Sequence, residues 1–222
     1  MNPTTDEIIK QDIVDQLTWD DSVDANDVNV SVTDGVAELT GTVPTYAAKM
    51  AAERDAYLIA GVITVENNLT IEFPAGIALP TDVEITSNIE NKLVWDSQIN
   101  AMGIRVETTN GIVTLTGVVD SYWEKTLAED IAYYTHGVIG VVNNLSVTLP
   151  KSMVDVDIEN DIIAAYKRSG LIDETKINVS VTDGIVHLTG TTSNYLEKAQ
   201  AYNIAMFTSG VIDVINDITI LV

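Results

Sequence analysis

The chain has no cysteine. That absence removes disulfides, thiolate metal sites, iron–sulfur clusters and cysteine nucleophiles together, and it leaves the redox compartment open. Basic residues are scarce: 11 Lys and Arg stand against 33 Asp and Glu, a formal net charge of −22. A polyanion of this size repels phosphates, so nucleic acid is excluded as a partner, anionic lipid head groups are disfavoured and cations are attracted. Long apolar runs are also missing, since none approaches the ~20 residues that span a bilayer. Met1-Asn2-Pro3-Thr4-Thr5-Asp6-Glu7 lacks the basic and then apolar run of a secretory signal, which reads as a soluble, signal-less start unless a peptide was already removed. Histidine is nearly absent too. His136 stands beside Gly137, where a cation suits a helix C-terminus, and His187 falls on the polar face of a strand. With no paired histidines at ligand spacing, no glycine-rich phosphate loop and no nucleophile elbow, no enzyme is expected.

What the chain does have is 222 residues with 46% hydrophobic content, enough to fold despite the charge. It also repeats itself. The segment Val30 to Gly41, reading VSVTDGVAELTG, recurs at Val106 to Gly117 and at Val179 to Gly190. Gly61-Val62 recurs as Gly137-Val138 and Gly210-Val211, and Asn67 as Asn143 and Asn216, at constant offsets of 76 and then 73 residues. Residues 1–74, 81–150 and 151–222 are therefore three units, with 75–80 as a linker. Ala75-Gly76-Ile77-Ala78-Leu79 is apolar for a free linker and is expected to pack against a unit. The units carry 14 acids and 3 bases, 9 and 3, and 10 and 5, so half of the excess charge belongs to the first.

Within a unit, Ile9, Ile13 and Leu17 form one apolar helical stripe, matched by Ile85, Ile89, Leu93 and by Ile158, Ile162, Tyr166. Val28, Val30 and Val32 then alternate with polar residues, as in a half-buried strand. Asp34-Gly35, Asn110-Gly111 and Asp183-Gly184 supply the positive φ of a tight hairpin turn into a second strand, which ends at Gly41, Gly117 or Gly190. A second helix is expected over about 45–60, stopped by Gly61 and, in the other copies, by Gly137 and Gly210. Last strands follow at 65–71, 141–147 and 214–220. The fold class is α+β: three tandem αββαβ units, each a small three-stranded mixed sheet covered on one face by two helices.

The strand, the Asp/Asn-Gly turn, the Leu-Thr-Gly strand end, the Gly-Val helix stop and the Val-x-Asn-x-Leu last strand together resemble the BON domain, a family of bacterial osmotic-stress and envelope proteins, in three copies. The resemblance implies a non-catalytic module that associates with phospholipid surfaces or envelope protein partners. It implies the periplasm or cell envelope as the location, or the cytoplasm if the signal-less N-terminus is native. A second reading is structural: a homo-oligomer or filament whose carboxylates are bridged by calcium or another divalent cation, with sheet edges pairing between chains.

Candidate sites follow. Asp20, Asp21, Asp24 and Asp27 sit close together after the first helix, as oxygen ligands for Ca²⁺ or as a plain solvated loop. Tyr46 and Lys49, Tyr122 and Lys125, and Tyr195 and Lys198 share a helix face at i, i+3, as a repeated partner-binding patch or as local packing. Asn67, Asn143 and Asn216 share strand parity with apolar neighbours, which turns each amide toward the helices and demands hydrogen bonds there or a bulge. Trp19 and Trp95, replaced by Arg168 in the third unit, are expected at a core edge or between units rather than against a ligand.

Overall fold

A computed structural model describes residues 5–148 and 154–221. The second expected boundary, at 150–153, lies outside them. Unit one runs α1 (Thr5–Trp19), β1 (Val28–Thr33), β2 (Val36–Val43), α2 (Tyr46–Tyr57) and β3 (Thr64–Ile71). Unit two repeats the order as α3 (Asp82–Trp95), β4 (Ile104–Thr109), β5 (Ile112–Val119), α4 (Tyr122–Tyr133) and β6 (Gly140–Val147), with one short 3-10 turn at Ala101–Gly103. Unit three gives α5 (Asp155–Ser169), β7 (Ile177–Thr182), β8 (Ile185–Thr192), α6 (Tyr195–Met206) and β9 (Asp213–Ile220).

In each sheet the hairpin partners are antiparallel and the last strand joins the middle one in parallel, so the second strand is central and the sheet is mixed. A two-residue turn at Asp34-Gly35 closes the first hairpin, with φ of 51° and 75°, and Asn110-Gly111 and Asp183-Gly184 repeat it. Positive φ also occurs at Gly41, Gly117, Gly190, Gly61, Gly137 and Gly210. The second helices are shorter than their sequence pattern, because the chain leaves α-helical geometry after Tyr57 and reaches Gly61 through a turn.

The core of each unit is the helical stripe set against the inward residues of the sheet. Ile9, Ile13 and Leu17 meet Ala37, Leu39, Val65 and Leu69, with small Ala48, Ala52 and Ala56 bringing α2 close. Tyr166 occupies the last stripe position of unit three, fully buried, and its hydroxyl donates to the Ala201 carbonyl at 3.1 Å, satisfying the one polar atom it carries inside.

Contacts gather the chain into two compact bodies, one containing the first unit and the other most of units two and three. In the second body α4 and α6 join. Tyr122, only 9% exposed, belongs to the same buried cluster as Ile158, Ile162 and Tyr166. Trp123 stacks on Phe207 with ring centroids 4.5 Å apart.

Two expectations fail. Ala75–Leu79 does not pack: all five residues are exposed, Ile77 by 50% and Leu79 by 49%. The chain turns there between Pro74 and Pro80, with the Ile77 N–H on the Pro74 carbonyl, too short a loop to reach back to a core. Trp19 and Trp95 are 79% and 86% exposed, so neither lies at a core edge. Each ends its helix two residues past the buried stripe position Leu17 or Leu93, an angle that points it away from the sheet.

Candidate functional site

Three groups of polar side chains recur or stand out, and each begins from one residue type at one position. The first is a carboxylate at the start of the first helix of every unit. Asp82 accepts the Asn110 and Gly111 N–H groups at 2.8 and 2.9 Å, and Asp155 accepts those of Asp183 and Gly184, both at 2.9 Å. Asp6 does the same for Asp34 and Gly35, at 3.0 and 3.4 Å. A hairpin turn with positive φ at both central residues leaves its N–H groups pointing outward, and one carboxylate accepts the pair as an anion does in a nest of backbone N–H groups. The position was legible in the constant offsets of Asp6, Asp82 and Asp155, though not the role. Asp82→Ala is expected to cost unit two about 2 kcal/mol, two charge-assisted bonds partly replaced by water, read from guanidinium denaturation; Asp82→Asn is expected to lose less.

The second group links the last strand to the second helix. Asn67 Nδ2 donates to the Lys49 carbonyl at 2.8 Å and to Glu53 at 3.0 Å, and Asn143 repeats this with Lys125 and Glu129 at the same distances. The amide does face the helices, in a hydrogen-bonded network. The Asn67, Asn143 and Asn216 Oδ1 atoms accept the N–H of Leu69, Leu145 and Ile218.

The tyrosine and lysine positions diverge between units. Lys49 Nζ donates to the Leu69 carbonyl at 2.7 Å, and Lys125 Nζ lies 5.9 Å above the Tyr122 ring. Burial pulls the Lys198 ammonium below its usual range, against the opposing pull of Asp217. Tyr122 is withdrawn from solvent, with its hydroxyl 3.0 Å from that of Tyr202. Burial, then the partner hydroxyl, pushes Tyr122 well above the ordinary phenol range, and burial raises Tyr202 as well. Tyr202 stands where the other units have Glu53 and Glu129, so one exchange of glutamate for tyrosine adds a hydroxyl pair to the Trp123–Phe207 contact between α4 and α6. Tyr46, Lys49, Lys125, Tyr195 and Lys198 are half-buried.

The third group is specific to unit one. In the acidic loop, Asp20 accepts the Ser22 N–H at 2.8 Å, and Asp24 accepts the Asn26 side-chain and backbone N–H groups at 2.7 and 3.3 Å. Arg54 reaches across from α2 to bridge Asp20 at 3.1 Å and Asp55 at 3.2 Å. Asp55 is 2% exposed, where units two and three carry the half-buried Ile131 and Ile204. Its Oδ2 finds no donor. Burial, then the neighbouring Asp20 carboxyl, pushes Asp55 above the carboxylate range, while the hydrogen bonds from Ser22 hold Asp20 below it. Asp21 and Asp27 are exposed. The loop thus gives Asp20 to a guanidinium and Asp24 to a local turn, and among the described residues no three His, Asp or Glu side chains gather as a metal shell.

The described residues also contain no helix long and apolar enough to cross a membrane. Three αββαβ units with Asp-clamped hairpins and Asn-tied last strands define the class: BON domains match residues 5–72, 81–148 and 154–221, and the chain belongs to the BON domain family. Among curated proteins, osmotically-inducible protein Y of Escherichia coli (strain K12) is 32% identical over 128 residues, a match covering 56% of this chain and 64% of the relative, less than two thirds of its length. Two solved structures of CdsD, a structural protein of the type III secretion system of Chlamydia trachomatis, align over 99% and 95% of this chain and 100% and 91% of theirs, each at 16% identity. Their TM-score is 0.28, too low to bear on the fold.

Proposed function

We propose that the protein is a non-catalytic binding module of osmotic-stress and envelope physiology that associates with phospholipid surfaces. Membership of the BON family and the likeness to an osmotically inducible protein support the physiological part. The observation that carries the lipid part is the exposure of Trp19 and Trp95 at the ends of α1 and α3, with Val94 at 72% next to the latter and Met102 at 96% seven residues on. Large apolar side chains kept in water at a helix end are suited to the head-group boundary, where an indole is both apolar and hydrogen-bonding. The charge decides which surface: −22 opposes an anionic bilayer and leaves a zwitterionic one accessible.

Flotation of the full chain with phosphatidylcholine vesicles, and with vesicles carrying phosphatidylglycerol, tests this. Binding is expected to the first and weaker binding to the second, partly restored by Ca²⁺. Trp19→Ser with Trp95→Ser is expected to reduce binding at least ~30-fold, each indole contributing roughly 1–2 kcal/mol, without changing the circular dichroism. No flotation with either vesicle ends the lipid reading and leaves protein partners.

Cation-bridged self-association is supported by a different observation: Asp24, Asp27 and Glu72 line one hollow of about 270 Å³ in unit one, with Thr42, Pro44 and Phe73. Native mass with Ca²⁺ and then with chelator tests it. The same monomer in both conditions removes it.

A further inference from the structure

In a three-stranded sheet with the hairpin's second strand in the middle, β3, β6 and β9 are edges. An edge strand presents every second N–H and C=O to whatever lies beside it, and an identical strand from another molecule is the partner best matched to it. At Leu69 both of these groups are already taken. The N–H goes to Asn67 Oδ1 at 3.3 Å and the carbonyl accepts Lys49 Nζ at 2.7 Å. The other end of the Asn67 amide is tied to the helix, on the Lys49 carbonyl and the Glu53 carboxylate. Such a side chain cannot swing aside without losing three bonds. Leu145 with Asn143, at 3.2 Å, and Ile218 with Asn216, at 3.3 Å, show the same bond from strand N–H to amide oxygen.

A half-buried amide on the helix-facing side of a strand is otherwise a poor choice. Valine or isoleucine at that parity would add apolar contact and β propensity. Asparagine at the same place in all three copies therefore needs a role beyond packing, and its Oδ1 supplies one by occupying the strand N–H that an incoming strand would need. We propose that Asn67, Asn143 and Asn216 close the outer edge of the last strand of each unit against strand addition by a second copy of this chain. Association between molecules then has to use other surfaces, which leaves the lipid reading untouched and confines any edge pairing in the cation-bridged reading to β1, β4 and β7.

Two measurements on the full chain test it. In the first, Asn67→Val, Asn143→Val and Asn216→Val are combined and mass is followed by light scattering across a concentration series. The expected result is a folded variant whose mass rises with concentration above that of the parent. A variant that keeps the parent's circular dichroism and its mass overturns the proposal. The second uses the unaltered protein and so does not depend on the variant folding: the Leu69, Leu145 and Ile218 amides are expected to exchange with deuterium at least ~10-fold more slowly than in an open chain, as bonded N–H groups do. Open-chain exchange at these three amides overturns it equally.

Discussion

Gly117→Ala is expected to unfold unit two at 25 °C. The glycine has φ of 123°, a region that L side chains rarely enter, and a Cβ added there would overlap the Gly103 carbonyl oxygen. The neighbour is backbone, held in the turn that starts β4, so no side chain can rotate away to make room. Gly41 and Gly190 stand in the same relation to the carbonyls of Asp27 and Lys176, which turn inward to accept the N–H groups of Thr42 and Thr191. The φ penalty alone is about 1–3 kcal/mol. With the steric overlap the total should exceed ~4 kcal/mol, which approaches the whole stability of a domain this small, about 5 kcal/mol. Gly76→Ala is the internal control: its φ is 87°, yet nothing lies within 4 Å of the added Cβ. Loss of protection across β4–β6 in Gly117→Ala, with Gly76→Ala indistinguishable from the parent in every unit, is the expected pattern by deuterium exchange. Retained protection in Gly117→Ala would mean that the strand end can shift to accept a side chain.

The glycines, the hairpins and the helical stripe were readable in the sequence because each follows from local geometry: a period of 3.6 or 2, or a turn that only Gly and Asn or Asp can make. The orientation of Asn67 was readable for the same reason, from strand parity. What the sequence concealed were partners chosen by tertiary approach. Asp6, Asp82 and Asp155 repeat as faithfully as the glycines, but each meets its hairpin turn 28 residues away, beyond the reach of any local pattern. The pairing of Tyr122 with Lys125 on one helix face left a binding patch and local packing equally open, and only α6 brings up Tyr202. Trp19 and Trp95 read as core edge or as packing between units, whereas their angle on the helix sets them in solvent. The four aspartates after α1 read as calcium ligands or as a solvated loop, and the residue that pairs with one of them, Asp20, is Arg54 in another helix.

That same arginine brackets the one carboxyl buried in the core of unit one, and here the expected effect has the opposite sign to most substitutions. Asp55→Ile, the residue type found at the equivalent positions of units two and three, is expected to stabilise unit one at pH 7 by about 1–3 kcal/mol, because a buried ionic group is replaced by one that packs and has no unmet hydrogen bond. Arg54 and Asp20 keep each other and are partly solvated, so neither charge is stranded. The pH dependence follows from two shifts of opposite direction. Asp55 titrates higher in the folded protein than in the unfolded chain, so the folded state binds the extra proton and unit one gains stability as pH falls from neutral through the Asp55 titration. Asp20 titrates lower when folded, so its contribution is intact above the ordinary carboxylate value and is lost as pH falls further, through its own folded titration. Unit one should therefore be most stable in mildly acidic solution, with Asp20 ionised and Asp55 protonated. Asp55→Ile removes the neutral limb of that profile and leaves the acid limb in place. Deuterium exchange over α2, measured from pH 7 downward at matched intrinsic exchange, separates the outcomes. Protection in the parent that is flat with pH, or an isoleucine variant less protected than the parent at pH 7, would show that Asp55 is fully ionised and that the Arg54 bridge more than offsets its burial.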